Sequence, residues 1–380
     1  MRENIVTAGR VVDVSVATIR AELPAPIAFG DWVMVDREFV VVRLTSLSGH
    51  QGFGFALTRD GCVGEQILKS VAPLYIGTDV ADREQTYNIA RRRNLASHST
   101  GIGLRAQSVV DLAAWDLAGQ VADRSISDLL GGRLQALPAT AIVGYPPTQL
   151  TSKEVGLQAR NLYESGWRRF KAPVSGDIAT SAERLIAVRS EASECWVGCD
   201  AGWTFDTVES ALDFLELAAP AQLGWFEDVF PPGDVEIVRE LRSRTSVPIA
   251  MGDEQGGSYY PDALLAGEAV DVIRIDLTSM GGITGGKRVI DRCLAGGVAM
   301  APHMFAHIHS RVFSALGQLD VPIEWGVPGT GVDPYADSLE QPTVRNGFME
   351  PLSESPGFGC LLDLEWARSQ PHHDPSGIFR

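Results

Sequence analysis

The hydrophobic positions follow different periods in successive parts of the chain. Near the N-terminus they alternate in two runs rich in β-branched residues, VVDVSVATIR and EFVVVRLTSL, which predicts two strands. The glycine-rich run GHQGFGFALTRDG follows and predicts a turn or loop. From about residue 81 the spacing becomes helical, and AQSVVDLAAWDLAGQVADRSISDLLGG predicts a helical region that stops at Gly-Gly. We therefore expect residues 1–132 to form an α+β unit.

After Gly132, short apolar runs alternate with amphipathic helical runs such as SAERLIAVRSEA, DVEIVRELRSR and GGKRVIDRCLAG. The predicted strands are ATAIVG, RRFKAPV, CWVGCDA, LGWFEDV, VPIAMGD, VDVIRID, GVAMAPH and VPIEWG. Such strand–helix units over residues 133–345 are typical of an α/β protein with a (β/α)8 barrel. Residues 346–380 are rich in Pro and Gly, and we expect them to leave the barrel and pack on the first domain.

Composition and charge exclude several classes of partner. The chain has 380 residues and a formal net charge of −16, which argues against nucleic acid and against an anionic membrane surface. No apolar run approaches the length of a membrane span, and the first residues lack the apolar core of a signal peptide. The five cysteines are scattered, so we expect reduced thiols in a cytoplasmic protein.

Polar residues stand at the ends of seven consecutive predicted strands. They recur roughly every 25–30 residues, about one strand–helix unit, and the carboxyl ends of barrel strands carry the chemistry in this architecture. An acid at any one strand end is ambiguous, because acids also cap the following helix. As a set, they predict an active site. The residues are Lys171, Asp200, Glu227, Asp253, Asp276, His303 and Glu324.

The seven residues divide by chemistry. Asp200, Glu227 and Asp253 follow adjacent strands, and three like charges share a dry site only when a cation neutralises them. Ligation by oxygen alone favours Mg²⁺, or Mn²⁺, over Zn²⁺. Asp276 and His303 follow the next two strands, and an aspartate beside a histidine orients the ring and raises its basicity. This pair predicts a general base.

The run MAPHMFAHIHS holds three of the seven histidines, a density that suggests zinc. His303 and His307 are four residues apart, but the zinc-protease pattern needs Glu directly after the first histidine, where Met304 stands. We expect His307 and His309 to be local surface residues or to support the site from behind. Zinc is the minor alternative.

Several motifs resemble those of the mandelate racemase subgroup of the enolase superfamily, and the resemblance covers nearly the whole chain. The motifs are VVDLAAWDLAGQVADRSISDLLGG, WFED, MGDEQ, VDVIRIDLTSMGGIT, APH and PGFGCLLD. The resemblance implies a modified TIM barrel with an N-terminal α+β capping domain, completed by the C-terminal segment. It implies Mg²⁺-assisted removal of the proton α to a carboxylate, a pattern known for enolase-type sites. It also implies a homo-oligomer, such as an octamer.

The resemblance assigns further roles. Glu324 resembles the strand-eight acid that hydrogen-bonds the substrate carboxylate, although a solvated strand-end acid is the competing interpretation. The family's strand-two motif is Lys-x-Lys, whose second lysine is a base, whereas this chain has Lys171-Ala172-Pro173. A shifted register would pair Arg169 with Lys171, but the spacing from Gly166 favours the first register. The usual Asp-x-Asn of strand three is Asp200-Ala201-Gly202, without the amide.

These departures favour one reaction within the family. A racemase needs a base on each face of the α-carbon, and His303 is the one clear base. A dehydratase, a hydro-lyase, takes the α-proton and expels the β-hydroxyl, which gives a 2-keto acid. We therefore expect that the substrate is a small carboxylic acid of the sugar-acid type and that the reaction is its dehydration. Lys171 would neutralise the substrate carboxylate. A racemase or epimerase with Lys171 as second base, and a catalytically impaired binding homologue, are the alternatives.

Substrate selectivity is expected in two loops of the capping domain, near residues 17–30 and 50–60. Arg20 and Arg59 in these loops are candidate contacts for a distal polar or acidic group of the substrate. Tyr145, at the end of the first barrel strand, is a candidate acid or substrate contact. A packing tyrosine at the barrel mouth is the alternative for Tyr145.

Overall fold

The computed structural model describes residues 7–29, 32–252, 254, 257 and 259–380. The predicted metal ligand Asp253 lies outside the described residues. None of the described helices is long and apolar enough to cross a membrane.

The N-terminal domain is an antiparallel sheet covered by helices. Its strands run in the order β14-β1-β2-β3, so a strand from the C-terminus completes the sheet. The bounds are β1 Val11–Phe29, β2 Trp32–Ser46, β3 Gln51–Leu57 and β14 His372–His373. The helices are α1 Val63–Gln66, α2 Ala72–Tyr75, α3 Arg83–Arg93, α4 Gly101–Ala122 and α5 Ile126–Leu129, with a π turn at Ile67–Val71 and a 3-10 turn at Val80–Asp82.

The glycine-rich segment forms strand β3, so the predicted turn or loop is wrong for residues 51–57. The reason is close packing against helix α4. A Cβ added to Gly52 would lie 2.3 Å from the amide nitrogen of Leu117, and one added to Gly54 would lie 2.4 Å from the carbonyl oxygen of Val109. Glycine in a strand is expected where another backbone approaches this closely.

The first predicted selectivity loop is also mostly strand. β1 continues to Phe29 and pairs with β2, with one break in register between Glu22 and Ile27. The break contains Pro24 and Pro26, which have no N–H to donate to the ladder. Residues 17–29 are therefore the distal half of a hairpin.

The described residues of the second domain form a curled sheet of eight parallel strands in the order β10-β9-β8-β7-β6-β5-β4-β11. All eight predicted strands are confirmed, as is the modified TIM barrel. The bounds are β4 Leu137–Ile142, β5 Arg169–Pro173, β6 Trp196–Asp200, β7 Trp225–Glu227, β8 Ile249–Met251, β9 Val272–Ile275, β10 Ala299–Pro302 and β11 Ile323–Gly326.

Helices separate the barrel strands, and smaller elements follow β11. The helices are α6 Ser152–Glu164, α7 Ile178–Glu191, α8 Val208–Leu217, α9 Val235–Arg244, α10 Tyr259–Ala266, α11 Gly282–Gly296, α12 Ala306–Ala315 and α13 Leu364–Ser369, with 3-10 turns at Ala219–Ala221 and Ala336–Ser338. A hairpin of β12 Val344–Arg345 and β13 Phe348–Met349 pairs antiparallel with the first residues of β4. It therefore lies at the barrel end opposite the predicted site.

Buried contacts join the two domains. Phe55 of β3 stacks on Tyr335, which follows the last barrel strand, with ring centroids 4.1 Å apart. On the other side, the indole N–H of Trp115 in α4 donates to the hydroxyl of Thr284 in α11 at 3.0 Å. These contacts hold the capping sheet against the carboxyl ends of the barrel strands.

Candidate active site

A cavity of about 580 Å³ lies between the capping domain and the carboxyl ends of the barrel strands. This volume is in the range of small-molecule sites. Its lining includes Arg37, Arg59 and Arg105 from the capping domain and Tyr145, Asp200 and His303 from the barrel. The capping domain thus supplies guanidinium groups to the cavity, and the barrel supplies a phenol, a carboxylate and an imidazole.

Two of the three predicted metal ligands lie side by side. The β6–β7 register pairs Asp200 with Glu227, and both carboxylates contact the ammonium of Lys171. The second oxygen of Glu227, Oε2, is buried and accepts no hydrogen bond from a described residue. Burial raises the pKa of Glu227 to about 8, against the opposing charges of Arg274 and Lys171. An orphaned carboxylate oxygen beside a second acid fits a bound cation.

Lys171 is buried among acids instead of lining the cavity. Its Nζ lies 3.1 Å from Asp200 Oδ2, 2.8 Å from Glu227 Oε1 and 2.7 Å from Glu324 Oε1. Burial disfavours the ammonium, but the three acids together raise the pKa of Lys171 well above its usual value. Its charge is therefore balanced by these three carboxylates, of which Asp200 lines the cavity.

Arg274 is a central residue that the sequence analysis missed. It is fully buried, and its guanidinium lies 3.0 Å from Glu227 Oε1 and 2.7 Å from Glu324 Oε1. It also donates to the carbonyl oxygens of Ala301 and Pro302. A signal was present, because Arg274 stands two residues before Asp276 and alternate strand residues share a face.

Glu324 is fully enclosed, which excludes the solvated strand-end interpretation. Besides Lys171 and Arg274, it accepts a hydrogen bond from the backbone N–H of Met304 at 3.1 Å. Burial would raise its pKa, but Arg274 and Lys171 lower the pKa of Glu324 to about 2. It is not among the described residues that line the cavity.

Asp276 and His303 lie close together, with His303 facing the cavity. His303 Nδ1 is 3.7 Å from Asp276 Oδ2, longer than a hydrogen bond, and catalytic contacts are often long before substrate binds. The backbone N–H and hydroxyl of Thr278 both donate to Asp276 Oδ1 at 2.7 Å, which fixes the carboxylate. Burial opposes ionisation, but the interaction with His303 lowers the pKa of Asp276.

Glu254 is a second acid beside His303 that the sequence analysis did not single out. Its Oε1 lies 3.5 Å from His303 Nδ1, and Glu254, Asp276 and His303 are grouped closely enough to hold a metal ion. However, Glu254 already binds two arginines. Arg105 contacts Oε2 at 2.9 Å, and Arg59 contacts both oxygens. Both oxygens of Glu254 are thus occupied by guanidinium groups, whereas Glu227 keeps Oε2 without a described partner beside Asp200, so Asp200 and Glu227 are the better candidates.

His307 and His309 are buried, so the surface interpretation is wrong and the supporting interpretation is favoured. His309 Nε2 accepts from the backbone N–H of Leu277 at 3.0 Å, so Nδ1 carries the proton and donates to the carbonyl of Met304. His307 Nε2 bonds the carbonyl of Glu340 at 2.8 Å. Burial lowers the pKa of each to about 4. Both are therefore neutral near pH 7, and His309 bonds the backbone of Leu277 and Met304, the residues that follow Asp276 and His303.

The three predicted substrate contacts are placed differently. Arg20 lies on the exposed side of the capping sheet, where it pairs with Asp36 at 3.7 Å and Glu38 at 3.0 Å, and it is not part of the cavity lining. Arg59 lines the cavity but is paired with Glu254. Tyr145 also lines the cavity, and burial raises its pKa to about 12.

The two departures from the family motifs have visible counterparts. Pro173 is the register partner of Asp200, so proline stands where a second lysine would face the site. The guanidinium of Arg169 lies 3.9 Å above the ring of Trp196, and Arg169 is not a substitute base. The backbone N–H of Gly202 donates to Asp200 Oδ1 at 3.1 Å. A main-chain donor thus orients this carboxylate in place of the asparagine side chain of the Asp-x-Asn motif.

Barrel, cap and site together define an enolase-type protein. The model for the mandelate racemase / muconate lactonizing enzyme N-terminal domain matches residues 11–131, and the model for the enolase C-terminal domain-like fold matches residues 154–366. The chain belongs to the mandelate racemase / muconate lactonizing enzyme family of the enolase superfamily.

Curated relatives and solved structures are similar over most of the chain. A D-galactonate dehydratase family member from Catenulispora acidiphila is 27% identical, covering 87% of this chain and 84% of the relative. The L-talarate/galactarate dehydratase of Salmonella typhimurium is 25% identical over 87% of this chain and 81% of its own. The structure of a Streptomyces coelicolor racemase with bound magnesium superposes with a TM-score of 0.84 at 22% identity, covering 95% of this chain and 99% of that one.

Proposed function

We propose that this protein is a Mg²⁺-dependent hydro-lyase that dehydrates a sugar acid to a 2-keto acid. The family supports α-proton chemistry on a carboxylate, and curated relatives are named as sugar-acid dehydratases. The observation that carries the choice of reaction is the asymmetry of the site. His303, with Asp276 behind it, faces the cavity, and Pro173 stands at the opposite position.

The metal would be held by Asp200 and Glu227, with Asp253 as the third ligand that the sequence predicts. The orphaned Oε2 of Glu227 supports this assignment. Bound Mg²⁺ would supply the positive charge that stabilises the negative charge developing on the substrate carboxylate. Gly202 and Lys171 would keep the two described carboxylates oriented.

In this proposal His303 removes the α-proton. An α-proton of a carboxylate is too weakly acidic for histidine alone, so removal depends on charge stabilisation at the carboxylate. The fixed carboxylate of Asp276 stabilises the imidazolium that forms. The imidazolium, or Tyr145, then gives a proton to the departing β-hydroxyl, and the resulting enol tautomerises to the 2-keto acid.

A racemase or epimerase would need a second base. Lys171 is the candidate, but its Nζ is held by three carboxylates and is 2% exposed, which argues against proton abstraction from the cavity. A binding homologue without activity is disfavoured by the retained His303–Asp276 pair.

The test is incubation of the protein and Mg²⁺ in D₂O with a panel of sugar acids and other 2-hydroxy acids. NMR would follow 2-keto acid formation and α-deuterium incorporation together. His303→Asn removes the base, and His50→Asn, on an exposed turn, is the matched control. Keto acid that disappears only in His303→Asn supports the proposal.

Two other outcomes would replace it. Deuterium exchange or inversion without keto acid would indicate a racemase or epimerase. Ligand-dependent thermal stabilisation with neither signal would indicate a binding protein.

A further inference from the structure

Arg37 is a buried cation of the capping domain that lacks a counter-ion among the described residues. It lies on β2 and is 6% exposed. Its Nε donates to the carbonyl oxygen of Gly331 at 2.9 Å, and its two terminal nitrogens donate to no described residue. Tyr145, Asp333 and Glu254 have, in this order, the largest favourable electrostatic influence on it, and none of the three forms a described hydrogen bond or ion pair with it. Four of its five N–H donors therefore lack a described partner.

The terminal nitrogens of Arg37 are not among the fully buried, unpartnered atoms of the described residues, and Arg37 lines the cavity, so these donors are accessible from it. An anion in the cavity could therefore accept from them, and a guanidinium that is otherwise largely buried gains most from such a partner. Burial lowers the pKa of Arg37, yet a guanidinium stays charged at neutral pH. Arg59 and Arg105, which line the same cavity, differ because each forms an ion pair with Glu254. Arg37 thus contributes a positive charge to the cavity that the described lining does not offset by contact.

We propose that Arg37 binds a second anionic group of the substrate, at the end remote from the carboxylate that reacts. This inference rests on the proposed function, because it assumes that a carboxylic acid reacts at His303. The substrate class is then an acyclic acid with a terminal carboxylate or phosphate, not a simple monoacid. A planar guanidinium suits either group, because it can donate two parallel hydrogen bonds.

The position of Arg37 supports this assignment. His303 and Asp200 belong to the barrel, whereas Arg37 belongs to the capping sheet, and the same cavity of about 580 Å³ contacts all three. A linear acid with one end at Asp200 can therefore extend towards the cap. The names of the relatives leave the point open, since galactonate has one carboxylate and galactarate has two. In this chain Arg37 takes the distal role that the sequence suggested for Arg20 and Arg59.

The experiment compares D-galactonate, galactarate and a terminally phosphorylated aldonate. Binding is measured by calorimetry with Mg²⁺ in the His303→Asn background, so turnover does not interfere, and kcat/KM is measured with His303 intact. Arg37→Gln removes the charge. Arg20→Gln is the matched control, because Arg20 lies on the neighbouring strand and outside the cavity. Arg37→Lys keeps the charge without the planar fork, and thermal unfolding reports on folding of each variant.

We expect galactarate or the phosphorylated aldonate, each with a second anionic group, to bind more tightly than D-galactonate. The ratio of the two affinities should fall by about 10–100-fold in Arg37→Gln, which is the range for one charge-assisted contact. Arg20→Gln should leave it unchanged, and Arg37→Lys should retain part of it. Whether the carboxylate or the phosphate compound gains more identifies the terminal group. A wild-type protein without preference for a dianion, or an equal preference in folded Arg37→Gln, would overturn the inference.

The two proposals fail separately. A dianion preference that depends on Arg37, with no α-proton exchange for any acid, would keep the anion subsite and reject the proposed function. Dehydration of monoacids at rates insensitive to Arg37→Gln would keep the function and reject the subsite.

Discussion

Replacement of Arg274 by methionine tests how the buried charges of the barrel are balanced. Methionine keeps much of the side-chain volume but removes the guanidinium, which contacts Glu227 Oε1 at 3.0 Å and Glu324 Oε1 at 2.7 Å. Hydrogen bonds to a charged group contribute about 1.5–3 kcal/mol each, and breaking a buried ion pair costs about 3–5 kcal/mol. We therefore expect Arg274→Met to lower the free energy of unfolding by about 3–5 kcal/mol.

The control is Arg242→Met on the surface. Arg242 also pairs with one carboxylate, that of Asp271 at 2.9 Å, and donates to one carbonyl, that of Glu268, but both charged side chains are about one-third exposed. Exposed pairs contribute at most about 1 kcal/mol. Urea denaturation followed by circular dichroism measures both variants. Equal, small losses for Arg274→Met and Arg242→Met would refute the electrostatic reasoning.

The same reasoning fixes the sign of a pH effect. The pKa of Glu324 is lowered to about 2 by Arg274 and Lys171, despite burial. Its stabilisation is therefore complete above the unfolded-state pKa, about 4.3, and is lost as the pH falls towards 2. The difference in free energy of unfolding between wild type and Arg274→Met should therefore become smaller as the pH falls from about 4.3 towards 2. Adding Glu324→Gln to Arg274→Met should recover stability at neutral pH, because it removes an uncompensated buried charge.

Three further predictions concern packing, titration and metal binding. Gly54→Ala should lower the free energy of unfolding by about 1–3 kcal/mol, because the new Cβ would lie 2.4 Å from a carbonyl oxygen of α4. Gly296→Ala is the control, because its Cβ would have its nearest neighbour at 3.8 Å, and thermal unfolding should show it to be neutral or stabilising. His307 has its pKa lowered to about 4 by burial, so wild type should lose about 3 kcal/mol relative to His307→Gln as the pH falls from 6.5 to 4, and parallel urea profiles for the two would contradict this. Glu227→Gln should weaken Mg²⁺ binding in calorimetry by more than the ~10–100-fold typical of outer-shell changes, while exposed Glu236→Gln should not, and unchanged binding would exclude Glu227 as a ligand.

The barrel could be predicted because each unit repeats one local pattern. Each strand is a short, mostly apolar run, and seven of the eight carry one of the predicted polar residues in the strand or within two residues of its end. This pattern needs no knowledge of distant neighbours. Strand β3 could not be predicted in this way, because Gly52 and Gly54 are explained by the backbone of α4, which lies some 60 residues later in the chain.

The residues of the candidate site also divide into those that the local sequence pattern predicts and those that depend on distant parts of the chain. Asp276 and His303 stand at strand ends and could be located from spacing alone. Arg37 could not, because an arginine inside a strand is unusual only once its burial is known, whereas Arg274 was missed although its spacing from Asp276 indicated the same strand face. Glu254 was missed for a related reason, since its role depends on Arg59 and Arg105 from the other domain.

The return of the C-terminus to the capping sheet constrains the order in which the chain can mature. β14 pairs with β1, the backbone N–H of Phe358 bonds Asp116 of α4, and the N–H of Ile126 bonds the carbonyl of Gly357. During synthesis the capping domain emerges first but acquires these partners only after the entire barrel has been translated. Until then β1 presents an open edge, and open edges invite pairing with other chains. A ribosome that stops before the last 25 or so residues would therefore release a barrel whose cap, and with it the wall carrying Arg37, is unfinished.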